Sequence, residues 1–366
     1  MLESLYTEAI KTKSSISEKI KGYNKYDLDI YNFWNDENIP EFGRNISIAA
    51  GDGSKYEKKF LSFYFYAISA ESLIYNNKLH KIESSYINTM PHNKFAKDRI
   101  RNYMALFEIK NALKAIKTYD IDYYFYDGSL LGDLIRPSPL EKKIPQNIKQ
   151  SLLSLYEETM NTELKDIEKH DTEVFSSKLA NNDLKEKIGD MKKNHYSNYI
   201  ENLENYLENM EKLLSLANLL KYKDKIIAIS KTSTATDYFN TNIPDIGIFD
   251  KYNKQTGYST PPKYLSGKMN ELKRDFHIKD DFFKKLEFTI FYVRLEENKN
   301  ILKIELPYKT TESKIKEIIG IISKDSIEGY PYLLRKAHYD VVIKKSDIET
   351  LSKIIGIYEK SGREIL

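Results

Sequence analysis

Two copies of the tripeptide Asp-Gly-Ser each place a carboxylate directly after a run of strand-forming residues. The first copy begins at Asp52, in AAGDGS, and the second begins at Asp127, in YFYDGS. Asp-Gly is a common turn dipeptide, so each copy on its own is typical of a turn. Open α/β sheets, however, bind ligands at the ends of their strands, and a following glycine lets a ligand approach closely. The pattern therefore leaves two interpretations, two ordinary turns or one acidic site.

Two further side chains belong to the same hypothesis. Glu108 lies four residues from both Met104 and Ala112, which places it on the inward side of a predicted helix. An ionised carboxylate there is costly unless it is paired or bound to a metal. His338, in RKAHYD, is the fourth candidate. The alternatives are a glutamate that pairs with a lysine and a hydrogen-bonded core histidine.

A cluster of three carboxylates favours a metal site. Carboxylates that converge at one end of a sheet repel each other and raise their own pKa values unless a divalent cation neutralises them. Oxygen ligands suit Mg²⁺ or Mn²⁺, and an added imidazole shifts the preference towards Mn²⁺. Two such ions about 4 Å apart activate water and stabilise the leaving oxygen in phosphodiester hydrolysis. The residue types therefore predict a manganese site of two ions, with Mg²⁺ as the alternative.

Three basic side chains are candidates for contact with a DNA phosphate. Lys231 directly follows the predicted strand IIAIS, where a positive charge near the acidic site can hold a scissile phosphate. Arg136 and Arg335 stand out because arginine is scarce, and Arg335 lies one helical turn before His338. The alternative for each of the three is a solvated surface side chain.

Composition limits the class of protein. The 366 residues carry 57 basic and 54 acidic side chains, so the net charge of +3 does not by itself indicate a nucleic-acid-binding protein. The lack of cysteine excludes disulfides, thiolate zinc sites and cysteine nucleophiles. The N-terminus lacks a signal-peptide pattern, and the longest apolar run, at 60–68, is too short to cross a bilayer. We expect a cytoplasmic protein that is not bound to a membrane.

The apolar spacing predicts an α/β protein with a mixed central sheet, helices on its faces and a long helical hairpin as an insertion. Asp52-Gly53 is predicted to be a turn, and a capping box from Ser346 to Glu349 is predicted to begin the last helix. The predicted elements are a helix over 1–22, a three-stranded meander within 46–76, a helix over 94–119, a strand at 121–126, a helical hairpin over 147–221, a strand at 225–230, an irregular loop at 251–268, a β-hairpin of FTIFYVRL and ILKIELP, and closing helices.

These elements divide the chain into four parts. Residues 1–44 form an N-terminal helical arm, and 45–146 form the first part of the core. Residues 147–221 are the helical insertion, and 222–366 complete the core with C-terminal helices.

The order and spacing of several stretches resemble the NurA family of nucleases, and the resemblance covers nearly the whole chain. No single stretch is specific, whereas their combination is. The stretches are AAGDGS at 49–54, RIRNYMALFEIKNAL at 99–113, YYFYDGSLLGDLIRP at 123–137, IIAISKTS at 226–233, YVRL and KIELP within 292–307, and GYPYLLRKAHYD at 329–340.

The resemblance implies both a fold and a site. NurA-like proteins have an RNase H-like core, and the motif positions of their metal ligands match Asp52, Glu108, Asp127 and His338. These four residues are thus expected to bind a catalytic manganese pair. The predicted order of three strands, a helix and a strand agrees with an RNase H-like start.

The resemblance also implies an activity and partners. We expect a 5′ to 3′ exonuclease on single- and double-stranded DNA, with endonuclease activity on single strands, that resects DNA ends in recombinational repair. The family members are homodimers that dock on a hexameric HerA-type ATPase. Two alternatives stay open, a non-catalytic adaptor of a DNA translocase and an RNase H-like nuclease that acts on RNA or hybrids. An adaptor has no need for all four ligands, and this chain has them.

Overall fold

A mixed sheet with helices on both faces organises the molecule, and it has ten strands among the residues that the structure describes. The computed structural model describes residues 2–22, 30–136, 144–179, 196–267 and 282–359. Residues 180–195 of the predicted helical hairpin and 23–29 of the predicted arm lie outside the described residues. The predicted mixed α/β architecture is confirmed.

The N-terminal region begins with a long surface helix. Helix α1 spans Glu3–Gly22, as its apolar spacing predicts, and none of its residues is buried. A 3₁₀ turn at Ile30–Phe33 and the short strand β1, Trp34–Asp36, follow it. Strand β1 pairs with a later strand at one edge of the sheet.

The predicted meander is present, but its boundaries differ from the prediction. Strands β2 (Ile48–Lys59), β3 (Phe63–Tyr75) and β4 (Leu79–Pro91) pair antiparallel in sequence. The turn predicted at Asp52-Gly53 is wrong, because both residues lie inside β2 and pair with β3. Strand β3 supplies a partner for every residue of β2, and this pairing overrides the local turn preference.

Helix α2, Ala96–Thr118, carries the chain across one face of the sheet. It leads into strand β5, Tyr123–Asp127, which lies parallel to β2, and then into the short helix α3, Leu130–Ile135. Parallel neighbours need such a crossover connection, so α2 is a structural consequence of the β2–β5 pairing.

The insertion is helical, as predicted. It contains helices α4 (Gln146–Lys165), α5 (Phe175–Leu179) and α6 (Tyr196–Leu219), with 3₁₀ turns at Ile167–Lys169 and Leu220–Lys225. Helices α4 and α6 share one apolar core with α2, so the insertion packs directly on the helix that carries Glu108.

Beyond the insertion the chain completes the sheet. The order is β6 (Ile226–Ser230), α7 (Asp245–Tyr252), β7 (Gly257–Ser259), β8 (Lys263–Ser266), α8 (Phe282–Lys285), β9 (Glu287–Arg294) and β10 (Leu302–Leu306). The irregular loop predicted at 251–268 is wrong, since it contains β7 and β8. Both strands are short and polar, and their order comes from pairing with distant β9 rather than from a local pattern.

The C-terminal region covers the second face of the sheet. It consists of α9 (Glu312–Lys324), the two-residue strands β11 (Ser326–Ile327) and β12 (Tyr330–Pro331), α10 (Tyr332–Val341) and α11 (Lys345–Ile355). The capping box was predicted two residues too late, because the N-cap is Lys344. Ser346 lies inside α11, and the side chain of Asp347 caps the backbone N–H of Lys344 instead.

The sheet separates the two largest apolar clusters of the described residues. Its strand order is β1-β7-β9-β10-β6-β5-β2-β3-β4, with β8 also paired to β9. Ala49 of β2 faces the core with α2, α4 and α6, whereas its neighbours Ile48 and Ala50 face the core with α9 and α10. Within the described residues, each helix is too short or too polar to span a bilayer.

Candidate metal centre

Two of the predicted site residues come from the parallel pair at the centre of the sheet. Ala50 of β2 pairs with Phe125 of β5, and both side chains enter the core beneath α9 and α10. Side chains alternate along a strand, so Asp52 and Asp127, two residues further on, point to the same face. Asp127 ends its strand as predicted, but Asp52 does not, because β2 continues to Lys59.

Helix α10 brings the predicted histidine to the first aspartate. The Nδ1 atom of His338 lies 2.7 Å from Oδ2 of Asp52. The His338 side chain is 52% exposed, whereas that of Asp52 is 11% exposed. His338 is therefore not a core histidine, and it covers Asp52 from the solvent side.

Glu108 approaches from the opposite face of the sheet, over Gly53. A Cβ atom placed on Gly53 would lie 2.4 Å from Oε1 and 2.7 Å from Cγ of Glu108. Such separations are far below van der Waals contact, so any side chain at this position would displace Glu108. The second residue of the first Asp-Gly-Ser therefore does not turn the chain; it makes room for Glu108 beside Asp52.

The carboxylates influence each other electrostatically. Burial raises the pKa of Glu108 well above its ordinary range, and the charges of Asp52, Asp133 and Asp127 raise it further. The ammonium of Lys212 acts in the opposite direction. Burial and the nearby charge of Asp52 also raise the pKa of Asp127. Mutual repulsion of this kind is what a bound cation relieves.

Lys231 is the predicted basic residue that reaches this cluster. Its Nζ atom lies 3.3 Å from Oδ2 of Asp127 and 4.6 Å from the centre of the Tyr330 ring. The hydroxyl of Tyr330 is 3.5 Å from the other oxygen of Asp127. Lys231 therefore lowers the pKa of Asp127 against the effect of burial.

The two arginines have other surroundings. The guanidinium of Arg335 pairs with Glu328 at 3.2 Å and donates to the carbonyl of Ile327 at 2.9 Å. Arg136 is exposed and ends α3, where its backbone N–H bonds the carbonyl of Gly132. The structure therefore gives neither arginine a contact with the four acidic-site residues.

Sequence reasoning missed a buried glutamate that fixes the turn after Asp127. Glu305 accepts hydrogen bonds from the Ser129 hydroxyl at 2.7 Å and from the backbone N–H of Leu131 at 2.9 Å, and it pairs with Lys303 at 2.8 Å. The available signal was the alternation of Lys303 and Glu305 in the otherwise apolar strand ILKIELP. Two charged residues on one face of a buried strand indicate a buried ion pair.

Tyr126 and Lys212 were also missed. Both contact Asp133, at 2.8 Å and 2.7 Å respectively. Asp133 is the second aspartate of YFYDGSLLGD, so the motif contained a signal for it.

The donor set suits a hard divalent cation, in that it contains three carboxylates and one imidazole. Across the described ranges, no three carboxylate or imidazole side chains converge closely enough to hold an ion. Asp52 is instead bonded to His338, and Asp127 to Lys231. A cation at this position would take the place of Lys231 as the partner of Asp127.

Comparison with known proteins identifies the family. A model described as "NurA domain" matches residues 46–343, which include all four predicted ligands. The chain belongs to the NurA family. A "Probable DNA double-strand break repair nuclease NurA" of Methanocaldococcus jannaschii is 33% identical over 95% of this chain and 87% of that protein. The "DNA double-strand break repair nuclease NurA" of Sulfurisphaera tokodaii is 26% identical over 98% of this chain and 97% of that protein.

Solved NurA structures share the fold. The crystal structure of the NurA nuclease from Sulfolobus solfataricus has a TM-score of 0.71 at 23% identity and covers 97% of both chains. A structure described as NurA bound to dAMP and manganese has a TM-score of 0.70 at 18% identity and covers 100% of both chains. The described part of the chain, including the described helices of the insertion, thus has the NurA fold.

Proposed function

We propose that this NurA-family chain is a metal-dependent DNA nuclease that hydrolyses phosphodiester bonds at the Asp52–Glu108–Asp127–His338 centre. The observation that carries the proposal is that β2, α2, β5 and α10 bring these side chains close enough to influence each other's ionisation, with His338 on Asp52 and Glu108 over Gly53. The names of the relatives, which are DNA double-strand break repair nucleases, support the reaction class.

Mn²⁺ is the proposed cofactor, with Mg²⁺ as the alternative. Solved NurA structures described as containing manganese support this choice, as does the mixture of carboxylate and imidazole donors. Asp52, Glu108, Asp127 and His338 would hold two ions. When bound, the ions supply an activated water and stabilise the leaving oxygen.

The remaining residues act around this centre. Lys231, once released from Asp127, is placed to hold the negative charge of the scissile phosphate. Arg136 and Arg335 are proposed to contact the DNA backbone away from the reacting bond. His338 is half exposed, and DNA is proposed to enter from this exposed side.

The wider role rests on the family. We propose 5′ to 3′ exonuclease action on single- and double-stranded DNA, endonuclease action on single strands, and a role in DNA end resection. We further propose that the protein is a cytoplasmic, nucleoid-associated homodimer that works with a HerA-type hexameric ATPase. The order β4-β3-β2-β5-β6, with β2, β5 and β6 parallel, supports assignment of this part of the sheet as an RNase H-like core.

Digestion of end-labelled DNA tests the proposal. Purified protein in Mn²⁺ is expected to give short products at once from 5′-labelled DNA and progressively shortened ladders from 3′-labelled DNA. Asp52→Ala should abolish both while leaving the melting temperature equal or higher, since it removes repulsion with Glu108 and Asp127. Asp98→Ala, at an exposed position in the first turn of α2, is the matched control.

Two results would contradict the proposal. Retention of full activity by Asp52→Ala would remove the centre from the reaction. Preferred cleavage of RNA or of an RNA–DNA hybrid, when these compete with DNA in one digestion, would replace the proposed substrate.

A further inference from the structure

One face of α2 is charged although it is buried. At 100° per residue, Arg99, Tyr103 and Lys110 lie within about 40° of each other around the helix axis, and Glu108 lies about 180° from Arg99. Arg99 and Lys110 are buried. Helix α2 is therefore held between the sheet, where Glu108 lies over Gly53, and α6 of the insertion on the opposite side.

The first contact of this face is a fully buried ion pair. The side chains of Lys110 and Glu211 are both 0% exposed, and the ammonium donates to the carboxylate. Glu211 also accepts from the backbone N–H groups of Phe175 and Ser176 at 2.9 and 2.8 Å. Lys110 donates to the carbonyl of Glu173 at 2.5 Å. Both charges are thus satisfied in a fixed geometry.

A second buried pair lies further towards the N-terminus of α2. The Nε atom of Arg99 lies 3.1 and 3.0 Å from the two oxygens of Glu208, and the hydroxyl of Tyr103 donates to the same carboxylate. Glu208 and Glu211 lie three residues apart on one face of α6. A single helix of the insertion therefore binds α2 at two positions along its length.

The same helix reaches the turn that follows the second aspartate. Lys212 of α6 pairs with Asp133 of α3 at 2.7 Å, and Asp133 accepts from the hydroxyl of Tyr126 at 2.8 Å. Helix α6 therefore contacts α2, which carries Glu108, and α3, the helix that follows Asp127.

Buried ion pairs are an expensive way to join two helices. Their desolvation cost roughly cancels their attraction, so well-packed apolar pairs are as stable or more stable. Ion pairs are directional and apolar contacts are not, because hydrogen-bond geometry fixes both the rotation of a helix about its axis and its position along that axis. Glu108 needs this control, since a small rotation of α2 would move its carboxylate off Gly53.

We propose that Arg99 and Lys110, with their partners Glu208 and Glu211 on α6, are positioning residues that hold Glu108 at the metal centre. The insertion is then a part of the catalytic apparatus and not a peripheral addition. This inference rests on the proposed function for its consequence in catalysis, whereas the positioning itself is a claim about geometry.

The test replaces an ion pair by uncharged side chains of similar size. In Lys110→Met with Glu211→Gln, the amide oxygen of glutamine still accepts from the α5 backbone, and we expect a melting temperature close to that of the unchanged protein. The Mn²⁺ affinity, measured by titration calorimetry, should fall about 10-fold or more. A crystal structure of the metal-free variant should show the Glu108 carboxylate displaced from Gly53. Arg99→Met with Glu208→Leu is a second, independent pair and should act in the same direction.

Leu207→Ala is the control because it weakens the same part of the molecule without touching the ion pairs. Leu207 is a buried residue of α6 in the core shared with α2. Its truncation should lower stability by about 2 to 5 kcal/mol and leave the Mn²⁺ affinity unchanged. The ion-pair variants and the control are thus expected to show opposite changes.

The outcomes are separable. If both ion-pair variants keep Glu108 on Gly53 and bind Mn²⁺ as tightly as the unchanged protein, the positioning role is wrong. If the unchanged protein neither binds Mn²⁺ nor cuts DNA, the proposed function fails, and the crystal structures alone still decide the positioning role. A variant that does not fold is itself contrary to the proposal, which predicts retained stability.

Discussion

Gly53 is the residue at which Glu108, on one face of the sheet, comes near Asp52, on the other. Its missing side chain leaves the space that the Glu108 carboxylate occupies beside Asp52. Asp52, Asp127, Glu108 and His338 were all predicted as site residues from residue type and motif order. The role of Gly53 was not, because it depends on β2 continuing through the Asp-Gly pair, and that pairing is with a distant strand.

Gly53→Ala should separate folding from catalysis. Alanine suits a strand better than glycine, so stability should change little. The new Cβ must displace Glu108 by about 1 Å or more, and a misplacement of this size can reduce kcat about 100-fold. The measurement is kcat on single-stranded DNA in Mn²⁺ together with the melting temperature.

Gly247→Ala is the matched control for this change. A Cβ there would lie 3.7 Å from the Ile243 side chain, which is ordinary contact, so activity should be unchanged. Full activity of Gly53→Ala would show that Glu108 is not needed at its present position.

Lys231→Gln tests the proposed phosphate contact. Loss of the ammonium should raise KM for DNA and reduce the slope of log affinity against log salt concentration by about one. Lys345→Gln is the control, since Lys345 is an exposed lysine of α11 that pairs only with Glu349 among its described contacts. An unchanged salt slope for Lys231→Gln would contradict a direct contact with phosphate.

Among helices and strands, the sequence predicted best those that depend on contacts between residues close together in the chain. The long helices α1, α2 and α9 and the hairpin β9–β10 follow from apolar periodicity. Strands β7 and β8 could not be predicted, because they are short, polar and ordered by pairing with β9. The start of α11 was misplaced because Asp347, and not Ser346, provides the cap.

The N-terminus of helix α10, which carries His338, is bound by the carboxylate of Asp325, whose protonation depends on pH. Burial raises the pKa of Asp325 from 3.8 to about 6, although its carboxylate accepts from the backbone N–H of Leu333 at 3.2 Å. The folded protein therefore binds more protons than the unfolded chain between pH 4 and 6. This group's contribution to stability is greatest below pH 4 and is lost as the pH rises to about 6.

Asp325→Asn keeps an acceptor for Leu333 and removes the charge. We expect the free energy of unfolding at pH 7.5 to rise by about 1 to 3 kcal/mol, with a weaker dependence on pH between 4 and 6. Urea unfolding at a series of pH values measures both quantities. A loss of stability at pH 7.5 would show that the ionised carboxylate is a favourable helix cap.

For the whole molecule, the exposed face of α1 is consistent with an assembly larger than one chain. Its apolar residues are exposed, and a helix of this kind commonly packs against another surface. The proposed homodimer predicts a sedimenting species of twice 42.9 kDa at micromolar concentration. A single species at the mass of one chain would contradict it.

The position of the bound metal tests the central claim most directly. A crystal soaked in Mn²⁺ and measured at the manganese absorption edge should show anomalous density between Asp52, Glu108 and Asp127, in contact with His338, and Lys231 should have moved away from Asp127. Manganese bound at another place, with Asp52 still on His338 and Asp127 still on Lys231, would contradict the account.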